Sequence, residues 1–412
     1  MLARHSTPLL VAALAILPAG TAQAGVRQPV VVSQKPVANT PHVLDGIVNA
    51  IALVGGTVVV GGNFSAVSDA GGDEQLPREN LFAYDLRTGK VLPDFAPSMS
   101  GTVYALAAGA DGTVYVGGSF DFPGRALVRM SLADGSTVSS FNAPAYGGDV
   151  SALVRQGDKI YVGGDFIQIG STPRTALARI DAATGAVDPA FTITPGNPRG
   201  IGIKVYAMAA IPDRLAIDGS FTTVDGLRRP QVALIDLARN RVADWRTEVY
   251  APSCKAVFPW YVRGLDFSPD GKYFVVVTTG GPAPRTGKLC DSAARFETYS
   301  RGEDIQPTWV NLTGGDSLYS VAVTSAAVYV GGHLRWLDNP KGSDTAGPGA
   351  VPRQGIGAIH PTTGKALSWN PTRTRGIGVK AFLTTKSGLL VGSDTTQLGH
   401  EYHARIGMFP LP

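Results

Sequence analysis

Ile160-Tyr161-Val162-Gly163-Gly164-Asp165-Phe166 is a β-rich apolar run closed by two glycines and an aromatic. The phrase recurs as Val58-Val59-Val60-Gly61-Gly62-Asn63-Phe64, as Val114-Tyr115-Val116-Gly117-Gly118-Ser119-Phe120, and as Leu215-Ala216-Ile217-Asp218-Gly219-Ser220-Phe221. Weaker copies stand at Phe274-Val275-Val276-Val277, Val328-Tyr329-Val330-Gly331-Gly332 and Leu389-Leu390-Val391-Gly392. A period of roughly 50–60 residues marks repeated supersecondary units.

One unit, 148–191, resolves into four short strands. They cover 149–153, 159–162, 176–181 and 186–191, with turns at Gln156-Gly157-Asp158 and Thr184-Gly185. Hairpin-length connections make this a small antiparallel sheet. Such a sheet has two apolar faces and cannot stand alone. Fanning several of them around an axis buries both faces. First strands fall near Val48, Val103, Val150, Val205, Val262, Tyr319 and Val379, seven in all. Fourth strands end in an aromatic at Phe95, Phe141, Phe191, Trp245, Trp309 and Trp369, only six. The last unit, 378–409, stops after three strands. Its missing outer strand is expected from 29–33, where Val30-Val31-Val32 would pair with 404–409 and remove an open edge. The fold class predicted is all-β: a seven-bladed β-propeller of four-stranded blades, closed by that N-terminal strand. An unpaired leader before a six-bladed ring is the alternative.

The N-terminus reads as a secretory leader. Arg4 precedes an apolar run, 9–17, too short to span a bilayer, and Ala22-Gln23-Ala24 is a small-x-small cleavage site. Residues 1–24 are therefore expected to be removed, leaving 25–412 as one domain. Charged residues make up only 17% and net charge is +4, with no long basic run. Nucleic acid is not an expected partner, and no later segment is long and apolar enough to span a membrane. Cys254 and Cys290 are the two cysteines. In an exported chain a lone pair is expected as a disulfide. It would staple the most divergent unit.

The pattern Val-x-Ala-Leu, a Gly/Asp turn, Tyr-Val-Gly-Gly-x-Phe, Arg-x-x-Leu-Ala-Arg-Ile-Asp, Thr-Gly and Val-Asp-Pro-x-Phe, clearest at 150–191, resembles the bacterial delta-60 repeat family. The resemblance covers most of 46–412, with units five to seven degenerate. It implies a secreted or surface β-propeller with no single activity attached, so function must be read from a site.

In an up-and-down sheet the turns after first and third strands share one rim, and both sets are short. The long links share the other rim, where 63–80, 278–293 and 333–354 are the largest. Function concentrates on long loops held by a rigid scaffold, so that rim and its channel mouth are the expected binding face. Arg199, Arg263 and Arg375 each lead into a first strand and could converge on an anion. The other reading is ion pairing between blades. His333 and Trp336 lie on the longest loop, where an exposed indole could stack on a sugar. Asp69, Asp73 and Glu74 loosely resemble a calcium loop but miss EF-hand spacing. His400 and His403 could ligate a metal but lack a third ligand, so no metal site is assigned. Arg78, Arg174, Arg229 and Arg353 recur seven residues before Asp85, Asp181, Asp236 and His360. They read as ties within each blade rather than as a ligand ring.

No GxSxG, HExxH or P-loop is present. The expectation is an exported, monomeric binding protein with no cofactor, taking a polysaccharide or extracellular protein on the long-loop rim. A carbohydrate hydrolase or lyase using acids or a histidine at the mouth is the rival. A metal or redox propeller enzyme is a third reading, disfavoured by only six histidines.

Overall fold

The structure is a computed structural model, and it describes residues 26–72, 74–199, 202–255, 259–281 and 289–412. The expected leader and Asp73 lie outside the described residues. Every regular element among them is a β-strand, and no helix is long and apolar enough to cross a membrane.

Seven larger sheets follow one another along the chain, each ordered inner, middle, outer. In the third, Val150–Gln156 pairs with Lys159–Gly164, which pairs with Leu177–Asp181, all antiparallel. The middle strands are buried on both faces, which is why they read as unbroken apolar runs. Neighbouring inner strands touch in chain order, and Ala381–Thr384 of the last sheet touches Ile47–Val54 of the first. The core is accordingly divided between sheets. One cluster joins Val48, Ile51, Val58 and Phe82 of the first sheet to Ala381, Leu390, Ile406 and Met408 of the seventh.

The paired glycines have a steric cause. A β-carbon on Gly61 would strike Val103 of the next sheet, and the same holds for Gly117 on Val150, Gly163 on Val205 and Gly331 on Val379. Gly392 completes the series against Val48 of the first sheet. The second glycine of each pair meets backbone instead: Gly62 faces the Ile47 carbonyl and Gly164 that of Asp149. The fourth sheet breaks the rule by placing Asp218 at the first position. That carboxyl is fully buried, accepts a hydrogen bond from the Ala207 N–H at 3.1 Å, and its other oxygen has no partner among the described residues.

The outer strands depart from expectation. The fourth and fifth sheets have regular fourth strands, Arg241–Val242 and Trp309–Leu312. In the first, second, third and sixth, that segment makes one isolated bridge, such as Tyr84 to Val91 and Ile180 to Val187. Pro93 and Pro189 then offer no donor to continue the ladder, and the chain turns inward to bury Phe95 and Phe191. The N-terminal segment does lie on the free edge of Ile406–Pro410, but not as a regular strand at 29–33. The Ser33 N–H donates to the Pro410 carbonyl and the Val37 N–H to that of Met408, both at 2.8 Å. Pro36, which has no N–H, falls between them. Val32 is buried beside Tyr329, Trp369 and Phe409, while Val30 is exposed.

One further repeat feature was not anticipated. The residue before each third strand is left-handed: Asn80, Ala126, Ala176, Gln231, Asp291, Gly355 and Arg405 have φ between 51° and 74°. In the third sheet the Ala176 N–H bonds the Phe166 carbonyl, and its own carbonyl accepts from Gly164. These two bonds stabilise a backbone conformation that is uncommon for residues with a side chain.

Two stability outcomes follow. Gly392→Val drives a side chain into Val48 and should cost about 1–3 kcal/mol in urea unfolding. Burial pushes the Asp218 carboxyl up from 3.8 to about 8. Between those values the folded chain keeps a proton that the unfolded chain has lost, so this group lowers stability as pH rises from about 4 to 8. Asp218→Asn keeps an acceptor for Ala207. It should flatten that part of the pH–stability curve and leave the variant more stable than the parent above pH 8. Denaturant titrations across pH measure both. Asp266 and Asp291, raised to about 7 chiefly by burial, contribute slope of the same sign in both proteins.

Candidate functional site

Six inner strands carry a register shift near their start, between Val48 and Ala50, Val103 and Ala105, Val150 and Ala152, Val205 and Ala207, Val262 and Gly264, and Leu318 and Ser320. A bulge leaves one residue out of the ladder and re-aims its side chain. Those residues are Asn49, Tyr104, Ser151, Tyr206, Arg263 and Tyr319, and Lys380 holds the matching place in the seventh sheet. All seven line a single cavity of about 290 Å³. Two residues further on, Ile51, Leu106, Leu153, Met208, Leu265, Val321 and Phe382 form an apolar belt. The belt also borders a second axial cavity of about 370 Å³, whose charged members are Arg155 and Asp266.

The first cavity opens on the long-loop rim. There the loops after second strands fold into small hairpins, Ala66–Ser68 with Gln75–Pro77, Gln168–Ile169 with Thr172–Pro173, and Thr223–Val224 with Leu227–Arg228. The incoming links His42–Val43, Ala145–Tyr146 and Pro195–Gly196 pair alongside them. Arg78, Arg174 and Arg229 fasten these three hairpins, and Arg353 fastens a fourth, Trp336–Leu337 with Val351–Pro352. Each donates to the carbonyl just before it and to one fourteen residues later, as Arg229 does to Arg228 at 2.7 Å and Ala243 at 2.8 Å. Arg353 repeats the pattern on Pro352 and Leu367. These guanidiniums serve their own sheets.

Each tyrosine of the mouth carries a cation near its face. Lys204 Nζ lies 6.0 Å from the Tyr104 ring, the Arg263 guanidinium 5.0 Å from Tyr206, and Lys380 Nζ 3.5 Å from Tyr319. Lys204 is also paired to Asp165 at 3.2 Å. Arg263 donates to the carbonyls of Val262 and Trp260, with no carboxylate bound among the described residues. The Lys380 N–H donates to the Gly392 carbonyl, but its ammonium has no hydrogen bond or ion pair among the described residues. Burial, and then the charge of Arg263, push its pKa from 10.5 down to about 8, against a smaller pull from Asp394. Neither Asp, Glu nor His is among the described residues lining this cavity.

The other candidates are distributed around this mouth. Arg375 donates to Asp316 at 2.8 Å and to the His333 carbonyl at 2.7 Å. Asp316 is buried and is also gripped by Arg335 through two oxygens, each at 2.9 Å. His333 contacts the Tyr319 hydroxyl at 3.3 Å, and burial holds its imidazole below the usual range. Arg375 and His333 thus buttress the ring from outside. Arg199 lies 5.9 Å from the Trp260 ring and donates to Ser253 at 3.5 Å. Trp336 is half-buried in a rim hairpin under Arg335. Asp69 accepts the Val91 N–H at 2.8 Å, Glu74 is exposed, and Asp73 lies outside the described residues. His400 sits in a hairpin turn with φ of 65°, whereas His403 is buried against Thr40 and 3.7 Å from Glu401. Their side chains have different partners. Cys254 and Cys290 form a disulfide, with Cα atoms 5.8 Å apart. The bridge packs on Gly280, beside the link into the fifth sheet.

Of the ring, only Arg263 was singled out from sequence. The missed signal is the x of Val-x-Ala-Leu. Its neighbours repeat, while x runs through Asn49, Tyr104, Ser151, Tyr206, Arg263, Tyr319 and Lys380.

With inner strands surrounding an axial mouth, comparison with known proteins bears on the fold. Residues 156–191 match the domain of unknown function (DUF5122) β-propeller family. The match runs from the end of the third sheet's inner strand through its middle and outer strands. Solved structures, a WD40 β-propeller among them, resemble most of the chain. U3-55K aligns over 92% of this chain and all of its own at 11% identity, with a TM-score of 0.56. The RRP9 WD40 repeats align over 95% of this chain and all of theirs, also at 11% and 0.56. The Doa1 WD40 β-propeller aligns over 91% and 98% at 10% identity, with a TM-score of 0.50. At such identities the likeness concerns the β-propeller fold alone. No curated protein matches the sequence.

Lys380 should be the lysine that titrates near 8. Following Nζ or Cε resonances of labelled lysine against pH should show one such midpoint, absent from Lys380→Met. In Arg263→Gln the midpoint should move upward, because a like charge has gone.

Proposed function

We propose that this chain is an exported seven-bladed β-propeller that binds a polysaccharide, without transforming it, in the axial mouth of its long-loop rim. One observation carries the reading: bulges in six successive inner strands turn six side chains into one cavity, where Lys380 of the seventh sheet joins them. A scaffold needs no bulge to bury its core, and bulges commonly re-aim a side chain at a site. Aromatic rings beside hydroxyl, amide and cationic groups suit a sugar, which presents apolar C–H faces and a rim of hydroxyls. The seven sheets, the contact of last on first and the N-terminal segment along Ile406–Pro410 support a closed ring. The disulfide supports passage through an oxidising compartment. No paired carboxylates line the mouth among the described residues, which favours binding over glycoside cleavage.

A glycan array followed by calorimetry and a product assay tests this. Binding without product is expected, and Tyr206→Ala or Tyr104→Ala should weaken it about tenfold, a loss of about 1.4 kcal/mol. Product formation, binding that ignores both variants, or capture of a protein partner in place of any glycan would overturn it.

A further inference from the structure

The mouth is chemically lopsided. Going around it in sheet order, Asn49, Tyr104 and Ser151 form a neutral polar arc, and Tyr206, Arg263, Tyr319 and Lys380 form a cationic aromatic arc. Cations inside proteins are ordinarily met by carboxylates, because taking a charge from water without a partner is costly. Arg263 and Lys380 have none within bonding range among the described residues. Nearby acids are otherwise engaged. Asp316 is held by Arg335 and Arg375, Asp165 by Lys204, and Asp394 accepts from the N–H groups of Ile377 and Gly378. Asp218, close enough to sense Arg263, is fully buried behind it. The cations rest instead on tyrosine faces, which hold them in place without neutralising them.

We infer that the mouth is selective for an acidic glycan, seating the carboxylate of one uronate residue between Arg263 and Lys380 while its hydroxyls meet Asn49 and Ser151. This rests on the polysaccharide reading above and adds the charge of the ligand. A free inorganic anion would use only the cationic arc and leave the neutral one idle. A neutral sugar would leave two half-buried cations uncompensated. The carboxylate supplies charge-assisted bonds to both, which are stronger than neutral ones. Beneath, the apolar belt from Ile51 to Phe382 offers no partner for sugar hydroxyls, so the acidic residue enters from the rim and stops there.

The test uses a matched pair, oligogalacturonate and its methyl ester, which differ in charge but not in ring or linkage. Calorimetry on the full chain should give at least tenfold tighter binding of the acid. Lys380→Met and Arg263→Gln should each remove most of that preference, read as the ratio of acid to ester affinity in the same variant. Circular dichroism melts keep misfolded variants out of the comparison. Equal affinities for acid and ester, both lost in Tyr206→Ala, would sink the charge assignment and leave polysaccharide binding standing. No binding of either form, with neutral glycans also inert, would remove the underlying reading. Dextran sulfate or inorganic phosphate displacing the acid as well as excess acid does would reduce the site to a general oxyanion trap and overturn the inference.

Discussion

Neighbouring sheets approach so closely that, at one position on most middle strands, no β-carbon fits. Gly61, Gly117, Gly163, Gly331 and Gly392 each accept the inner-strand valine of the sheet that follows. This fixes how far apart the inner strands stand, and therefore how wide the axial mouth can be. Because Gly392 receives Val48, the constraint runs from the last sheet back to the first. The site depends on it. Arg263 reaches Tyr206, and Lys380 reaches Tyr319, only because adjacent inner strands are held side by side.

What repeats in the sequence is what builds the fold, and it was readable for that reason. The glycine pairs, the Asp/Gly turns and the buried aromatics from Phe95 to Trp369 announced sheets and their order. The cysteine pair was readable as well, since both members fall in long links of one rim. The site was less legible because it occupies the position that does not repeat. Within Val-x-Ala-Leu the variable residue looks like an ordinary strand residue, and only the bulge turns it toward the axis. Isolated residues are legible only by type: Asp69 and His403 stand out in the sequence, and in the fold Asp69 accepts from Val91 and His403 contacts Thr40. The left-handed residues also escaped notice, since Ala126 and Ala176 carry no glycine signature, and a carbonyl-to-amide pair does the work instead.

Departures from the repeat concentrate around the fourth and fifth sheets. Asp218 replaces a glycine, Val277 stands at the next equivalent place, and the disulfide clamps the link between those sheets. Asp218 also lies near Arg263, so the seam with the least regular packing borders the cationic arc. A buried carboxyl behind a mouth cation raises the local polarity of an otherwise apolar seam, and the second carboxyl oxygen has no partner among the described residues.

The arginine clasps on the rim have a consequence for how such a protein can diversify. Arg78, Arg174, Arg229 and Arg353 tie each hairpin to carbonyls of its own sheet, not to a neighbour. Lengthening a single rim loop therefore disturbs only one wedge. The loop 338–350 already exceeds the two-residue turn at Asp225-Gly226 while leaving the same clasp intact. Rim and axis can accordingly drift under separate pressures. The outer lips can be remodelled piecemeal for reach or access, while the cup at the centre keeps its dimensions.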